Sequence, residues 1–378
     1  MDALRWVGFA LGVLVVVTAG SSVIRTLIVP RSLQSILSRT VARYTGRFFV
    51  FFARRFESYE SRDRVLAYQA PSFLLLLLSA WVLLFLLGYA LMLWPFVLDF
   101  PQAFLESGSS LFTLGFAGTQ RTAPVLVHFA AAATGLVVVA LLVGYLPTLY
   151  SAFNRRETVV TMLQSRAGAP AWGPELLMRY QAVGLVEQLP QLYSEWERWA
   201  ADVAESHTNY PVLIFFRSPH SLRSWVLGLL AVMDSAALYL AFAPKAAPTE
   251  ARLCLRMGFL ALRDVAAFLQ IPYDPDPLPD EPIDLTYEEF AAGIQRVVDV
   301  GFPIERTPEE AWPHFRGWRV NYESVVYAIA DVVSAPPGPW SGTRTNLPGM
   351  EIIPQRVTNR TPDDPTPGAL PKGAGVGH

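Results

Sequence analysis

Apolar residues are concentrated in three long runs in the first 150 positions. The run at 6–24 has 19 residues without a charge, and the run at 72–97 has 26. The run at 123–150 has 28 residues, among which His128 is the only ionisable side chain. Each run reaches the roughly 20 residues that a helix needs to cross about 30 Å of hydrocarbon. The pattern therefore predicts an all-α membrane protein with three transmembrane helices.

Arginine placement predicts how these helices are oriented. Arg155 and Arg156 follow the third run, whereas residues 99–122 carry no positive excess. Positive charge collects on the cytoplasmic side, so we expect the N-terminus outside and the C-terminus in the cytoplasm of a plasma (bacterial inner) membrane. The domains are then a helix at 1–29, a basic segment at 30–70, a membrane domain at 71–153 and a cytoplasmic domain at 154–334. Between residues 31 and 64 there are three acids and eight arginines, at 31, 39, 43, 47, 54, 55, 62 and 64.

Two of these segments have alternative interpretations. The first run could be a cleaved signal peptide, since Val17-Thr18-Ala19 resembles a cleavage site. Cleavage would export the arginine-rich segment, against the charge bias, so we expect the helix to be retained. The segment 31–70 mixes arginines with the aromatic run at 48–52. It is interpreted either as an interfacial helix or as an ordinary cytoplasmic helix next to the membrane.

A fourth apolar run, 224–243, is interrupted only by Asp234. The next stretch, 251–270, places Arg252, Arg256 and Arg263 on one face. We interpret the two as a buried hairpin of the cytoplasmic domain, with Arg256 and Arg263 as partners of Asp234. A spanning helix is the alternative, but it would leave Asp234 near the bilayer centre at about 2.5–3.5 kcal/mol.

The remaining cytoplasmic sequence is predicted to be helical up to residue 334, with one helix over 308–333. The run at 210–216 fits either a strand or a buried helical segment. From 335 to 378 the chain is rich in Pro, Gly, Thr and Asp, which predicts a disordered tail.

Composition agrees with a membrane protein and offers little for catalysis. The chain is 52% apolar and 16% charged, with a mean hydropathy of +0.31 and a net charge of −2. We therefore expect no nucleic-acid partner. Nucleotide-binding and zinc-protease motifs were not found, so we expect neither an enzyme nor a cofactor. His207 with His220, and the acidic loop 274–284, are weak metal candidates, and the lone Cys254 is expected to be a core residue.

The connection between the second and third runs is too short to span a membrane and too apolar for a plain loop. A helix that begins at Pro101 and ends at Phe112 would be about 18 Å long. A turn of six residues follows: Thr113, Leu114, Gly115, Phe116, Ala117 and Gly118. Stacked backbone carbonyls can replace the water of a cation, and glycine permits the dihedral angles that aim them inward. The order of span, short helix, glycine turn and span is typical of a pore loop.

These residues resemble the filter of the prokaryotic two-transmembrane pore-loop potassium channels, Thr-Val/Ile/Leu-Gly-Tyr/Phe-Gly, which is commonly followed by Asp. Thr113, Leu114, Gly115 and Phe116 match, Ala117 departs, and Gly118 replaces the acid. The resemblance implies a homotetrameric pore for K⁺, with an outer helix at 71–98, a pore helix and filter at 101–118, and an inner helix at 123–153. It also implies gating hinges, at Gly135, Gly144 and Pro147.

The departure at position 117 leads to a further expectation. In the resembled filter this glycine has a backbone conformation that costs an L-residue about 1–2 kcal/mol. Ala117 would then be strained, or Gly118 would take over the dihedral, and Arg121 would place positive charge at the pore mouth. The alternative function is a non-conducting membrane sensor or scaffold whose cytoplasmic helices bind a partner; the sequence names neither a ligand nor a gating stimulus.

Overall fold

The computed structural model describes residues 2–29, 35–118, 122–342 and 352. Regular structure in these residues is helical throughout, with thirteen α-helices and short 3₁₀ turns. This confirms the all-α fold class. The chain divides into two compact units: Met1–Glu57 with Ser61–Ser151, and Ser58–Glu60 with Ala152–His378.

The first unit contains the predicted membrane segments. Its helices are α1 (Asp2–Leu27), α2 (Ile36–Ala53), most of α3 (Tyr59–Leu66), α4 (Gln69–Leu93), α5 (Phe100–Leu111) and the first two-thirds of α6 (Thr122–Ala167). A 3₁₀ turn, Trp94–Phe96, follows α4.

Among the described residues, four helical segments are long and apolar enough to cross a membrane: Ala3–Leu27, Tyr59–Phe96, Pro124–Ala167 and Trp225–Phe242. The first three cover the runs that the sequence predicted as spans, to within one residue at their ends. Length and apolar composition thus support a membrane protein.

Helices α1 and α4 pack antiparallel through glycines. A Cβ atom added to Gly12 would lie 2.5 Å from the Gly88 carbonyl oxygen, and one on Gly88 would lie 2.8 Å from Val16. Small residues allow this approach of two backbones, which is how helices associate where no water drives them together. Towards the other end, the Trp81 indole N–H donates to Ser22 Oγ at 2.9 Å. Helix α1 is therefore part of the core of this unit.

Helix α2 has an aromatic face that this unit leaves exposed. Ser35 caps its first turn by accepting the Ser38 N–H at 3.0 Å. Phe48 and Phe51 are exposed, and the Arg55 guanidinium lies 4.9 Å from the Phe51 ring. Exposed aromatic rings beside an arginine suit a membrane interface.

The second unit is built around α9 (Trp225–Phe242), and the side chains on every face of this helix are buried. It contacts α7 (Gly173–Ala182), α8 (Leu189–Asn209) and α10 (Thr249–Leu269). Helices α12 (Pro308–Arg319) and α13 (Glu323–Val332) complete its surroundings, and α11 (Tyr287–Asp299) packs on α7 and α12. Protein packing thus accounts for the apolar composition of α9, as the hairpin interpretation expected.

Asp234 in the middle of α9 is buried, but the prediction that Arg256 and Arg263 are its partners is wrong. Arg319 donates to its Oδ2 at 2.6 Å, and the Tyr322 hydroxyl donates to Oδ1 at 2.7 Å. Arg256 is exposed on α10. The partners come from residues 85 and 88 positions away, a separation that helical periodicity cannot reveal.

Other boundaries in this unit also differ from the sequence expectations. The run 308–333 forms two helices, α12 and α13, separated at Val320–Tyr322. The segment Pro211–Phe215 is a buried 3₁₀ helix, not a strand.

The expected disordered tail does not begin at 335. Ala335 and Trp340 are buried in the core, where the Trp340 carbonyl accepts Arg319 Nη2 at 2.7 Å. The Trp340 ring lies edge-on to Trp172 with ring centroids 5.5 Å apart. One large aromatic residue thus anchors a segment whose average composition is typical of disorder. Residues 343–351 and 353–378 lie outside the described residues.

Candidate functional site

Helix α5 positions the candidate filter residues. Asp99 caps it by accepting the Gln102 N–H at 2.9 Å, and Pro101 occupies its first turn, where a missing N–H has no consequence. Ser107 donates to the Leu86 carbonyl at 2.8 Å and ties α5 to α4. The helix ends at Leu111, so the six filter residues follow its negative C-terminal end directly.

The filter residues form a turn that folds back on the last turn of α5. The Leu114 N–H donates to the Ser109 carbonyl at 2.8 Å, and the Ala117 N–H donates to Ser109 Oγ at 3.0 Å. In the described part of the chain, no hydrogen bond reaches the carbonyl oxygens of Leu114, Gly115 or Phe116. Ser109 therefore holds N–H groups of the turn and leaves carbonyl oxygens available to a ligand.

Left-handed backbone conformations occur at Thr113, with φ of 55°, and at Gly115, with φ of 75°. A glycine at position 115 fits this geometry, whereas a β-branched threonine with positive φ is strained. Neither Ala117 nor Gly118 has a positive φ. The expectation that Ala117 is strained, or that Gly118 takes over its dihedral, is therefore wrong for this structure: the non-glycine strain lies four residues earlier.

The side chains of this turn are uncovered in the single chain. Leu114 is 63% exposed and Phe116 is 65% exposed. On α6, apolar residues are exposed at positions such as Leu126, Phe129 and Leu136. Exposed leucine and phenylalanine next to backbone carbonyls need cover from lipid or from further copies of the chain.

A buried polar chain lies behind the turn, between α5 and α6. Glu106 is only 3% exposed, and its Oε2 lies 3.3 Å from His128 Nε2. Ser110 Oγ lies 2.7 Å from His128 Nδ1, and Gln102 donates to Glu106 Oε1 at 3.1 Å. The four side chains join the candidate pore helix to the candidate inner helix.

Sequence reasoning did not find this pair, because Glu106 was counted as a charge of the outer loop and His128 as an isolated residue of the third run. A signal was present. Ionisable residues inside otherwise uncharged membrane segments are rare and usually pair with each other. The helical period also puts Gln102, Glu106 and Ser110 on one face of α5.

The three expected hinge residues lie within an unbroken helix. A Cβ atom at Gly135 would collide with the Leu111 carbonyl, so this glycine permits α6 to approach the end of α5. A Cβ atom at Gly144 would meet nothing within 4 Å. Pro147 lies inside α6 and removes one helical hydrogen bond. Gly135 thus has a packing role in addition to any role as a hinge.

Residues 119–121 lie outside the described residues, and with them Arg121 at the expected pore mouth. Among the residues described, no group of three or more His, Cys, Asp or Glu side chains could hold a metal ion. His207 is instead a buried partner of Arg156, whose Nη1 donates to His207 Nε2 at 3.0 Å. Burial, together with the positive charge of Arg156, lowers the pKa of His207 well below its ordinary value.

Cys254 is buried on α10, and burial raises the pKa of its thiol. It is a core residue, as expected from its position. Comparison with known proteins adds no functional assignment to this geometry: no family model, curated protein or solved structure matches the chain.

Proposed function

We propose that the protein is a homotetrameric cation channel selective for K⁺, with Thr113–Gly118 as its filter. The observation that carries this proposal is the turn after α5. There Ser109 holds N–H groups of the turn, and within the described residues the carbonyls of Leu114, Gly115 and Phe116 have no donor. Carbonyl oxygens are the ligands that replace the hydration shell of a permeating cation. Irregular backbone at membrane depth is tolerated where it lines such a pathway or is buried in protein.

The surroundings of the turn support the same function. The C-terminal end of α5 carries a partial negative charge, which favours a cation beside it. One chain supplies one such loop, so a ring of carbonyls requires several copies, and four is the number in the resembled family. Further copies would also cover the exposed rings and leucines of the turn and of α6.

The arginine distribution supports the proposed orientation, with the first residues outside the plasma membrane and residues 154–342 in the cytoplasm. The fully buried α9 agrees with a cytoplasmic second unit, since its apolar side chains face protein. In this arrangement the filter lies near the outer surface.

The direct test is the reversal potential of the purified full chain in planar bilayers with K⁺ and Na⁺ on opposite sides. We expect the potential to move towards the K⁺ equilibrium value. The chain should also migrate as a tetramer in mild detergent. A well-folded monomer or dimer, or a tetramer that passes no cation, would contradict the channel and leave the scaffold function.

A glycine pair tests the filter assignment. Gly115→Ala introduces a side chain at φ of 75°, at about 1–2 kcal/mol in each of four subunits, so we expect K⁺ current to be lost. Gly20→Ala is the control, because Gly20 lies on α1 outside the filter and its added Cβ would meet nothing within 4 Å. It should keep most of the current. Equal currents in both variants, or loss of current in both, would argue against a filter centred on Gly115.

A further inference from the structure

Helix α2 presents three faces of different chemistry along its length. One face is buried at Ser38, Thr45 and Ala53, and the helix packs on α1 and α4. The helical period of 3.6 residues places two further stripes outside this face. Both stripes are exposed, and one is basic whereas the other is aromatic.

The basic stripe consists of arginines. Arg39, Arg43 and Arg47 follow one another at intervals of four residues, and Arg54 continues their line. All four are exposed, and none has an ion-pair partner among the described residues. Residues 35–56 contain five arginines and no acidic residue, so this helix does not neutralise its own charge.

The aromatic stripe lies beside the basic one. Tyr44, Phe48 and Phe51 share it, and each side chain is more than half exposed. At its end the Arg55 guanidinium lies 5.0 Å from the Phe52 ring. Aromatic rings flanked by cations suit the boundary between lipid headgroups and acyl chains.

Contacts with α1 and α4 fix the direction in which these stripes point. Ser35 Oγ lies 2.7 Å from Ser22 Oγ on α1. A Cβ atom added to Gly46 would lie 3.6 Å from the side-chain nitrogen of Gln69, where α4 begins. Helix α2 is therefore held in one rotational position, with its arginines and its rings outside the core of the first unit.

We propose that α2 is a docking surface for anionic phospholipids, with the aromatic stripe in the headgroup boundary and the arginine stripe on the lipid phosphates. A guanidinium group binds a phosphate through two parallel hydrogen bonds. Each such cation near an anionic membrane surface strengthens association by about fivefold. A zwitterionic lipid has the same phosphate, but its own cation offsets the charge, so the stripe distinguishes the two lipids. This surface does not depend on whether the first unit conducts ions.

The test measures the relative affinity of the full chain for phosphatidylglycerol over phosphatidylcholine, with spin-labelled lipids in phosphatidylcholine bilayers. We expect a preference of about fivefold for phosphatidylglycerol. It should decrease at about 1 M salt, where charges are screened within about 3 Å. Equal affinity for the two lipids, or a preference that salt leaves unchanged, would overturn the proposal.

Two triple variants locate the preference on the chain. Replacement of Arg39, Arg43 and Arg47 by Gln should lower it to below about twofold. The matched control removes the same charge from exposed positions of the second unit, by replacement of Arg198, Arg252 and Arg256 by Gln. This control should keep the preference of the parent. An equal loss in both triple variants would assign the effect to net charge and not to α2.

A second measurement on otherwise unchanged chains gives the depth of the two stripes. Cys254 is the only cysteine and is buried, so Phe48→Cys and Arg43→Cys each offer one accessible thiol for a nitroxide label. We expect the label at 48 to be relaxed mainly by oxygen, which collects in the bilayer, and the label at 43 mainly by an aqueous nickel chelate. If the chelate reaches both labels equally, α2 lies in water, where a protein partner could cover it, and the lipid assignment is wrong.

Discussion

At the scale of single residues, His207 makes the stability of the second unit depend on pH. It is buried on α8 and accepts a hydrogen bond from Arg156, so it must be neutral in the folded chain. Its folded pKa lies below the unfolded value of about 6.5, so the unfolded state binds more protons below that pH. The contribution of neutral His207 to the free energy of unfolding is therefore fully present above about pH 6.5 and decreases as the pH falls below that value.

We expect the free energy of unfolding to decrease by up to about 1.4 kcal/mol for each pH unit below 6.5. Thermal unfolding of the full chain in detergent between pH 7.5 and pH 5 measures this. His207→Gln keeps an acceptor for Arg156 and should flatten the curve. His220→Gln changes an exposed histidine and should leave the curve as in the parent. Burial raises the pKa of Asp234 to about 6, which acts in the opposite direction over this range, so the contribution of His207 is the difference between the parent and His207→Gln. Parallel curves for these two chains would contradict the assignment.

Ala117 is the residue at which the sequence expectation and the structure disagree most directly. The alanine has no positive φ, so Ala117→Gly has no strain to relieve, and we expect the ratio of K⁺ to Na⁺ permeability to change by less than about twofold. Reversal potentials of the two chains give this ratio. A clear rise in K⁺ selectivity would show that the conducting tetramer has a left-handed residue at 117.

The sequence could locate the candidate filter turn but could not predict the backbone dihedral angle of each residue in it. The glycine at 115 marks a left-handed position correctly, since few other residues adopt it. The residue type does not indicate the positive φ of Thr113, because this conformation follows from the hydrogen bonds by which Ser109 holds the turn against α5. For Glu106 and His128 the sequence signals that each needs a partner, but their pairing depends on how α5 and α6 face each other.

At the scale of elements, the contact between α1 and α4 depends on the small size of its residues. Gly12→Val would drive a branched side chain into the Gly88 backbone, so we expect the apparent stability in detergent to fall by about 1–3 kcal/mol. Gly20→Val lies on the same helix where an added Cβ meets nothing within 4 Å. Thermal unfolding should separate the two variants, and an equal loss in both would show that α1 does not need this close approach.

The sequence predicted which helices exist more accurately than it predicted where each helix begins and ends. Three long apolar runs define α1, α4 and α6 because a bilayer-length pattern has few alternatives. The 308–333 run shows the limit. Its apolar period continues through Val320–Tyr322, yet the helix is interrupted there. The interruption brings Arg319 and Tyr322 to Asp234. A long-range ion pair therefore overrides the local pattern.

At the scale of the whole molecule, the second unit extends beyond the predicted cytoplasmic domain at its C-terminal end. Its core includes Val160 and Leu163 from α6, as the predicted bounds allow, and also Trp340, which lies beyond them. Composition alone could not show this, because the segment around Trp340 is rich in proline and glycine.

A fragment covering 152–342 should therefore be soluble, helical and cooperative in thermal unfolding. The fragment 170–334 should be unfolded or aggregated, because it lacks the α6 residues and the Trp340 segment of the core. Circular dichroism and size-exclusion chromatography compare the two. The fragment 152–334 keeps the α6 residues and lacks the Trp340 segment, so it separates the two effects. It should be less stable than 152–342 by about 3–5 kcal/mol, because it loses the buried Trp340 side chain. Equal stability of 170–334 and 152–342 would show that the core closes without these ends.

The carboxylate of Asp234 has a consequence for the biogenesis of the chain. Helix α9 is apolar enough to be taken up by the membrane-insertion machinery before its neighbours α10, α12 and α13 have been synthesised. Asp234 is the only charge in that helix, and it makes insertion less favourable by about 2.5–3.5 kcal/mol. Once Arg319 has emerged, the same carboxylate gains an ion pair in the folded unit. One side chain thus first makes insertion of the new segment less favourable and afterwards stabilises the folded second unit.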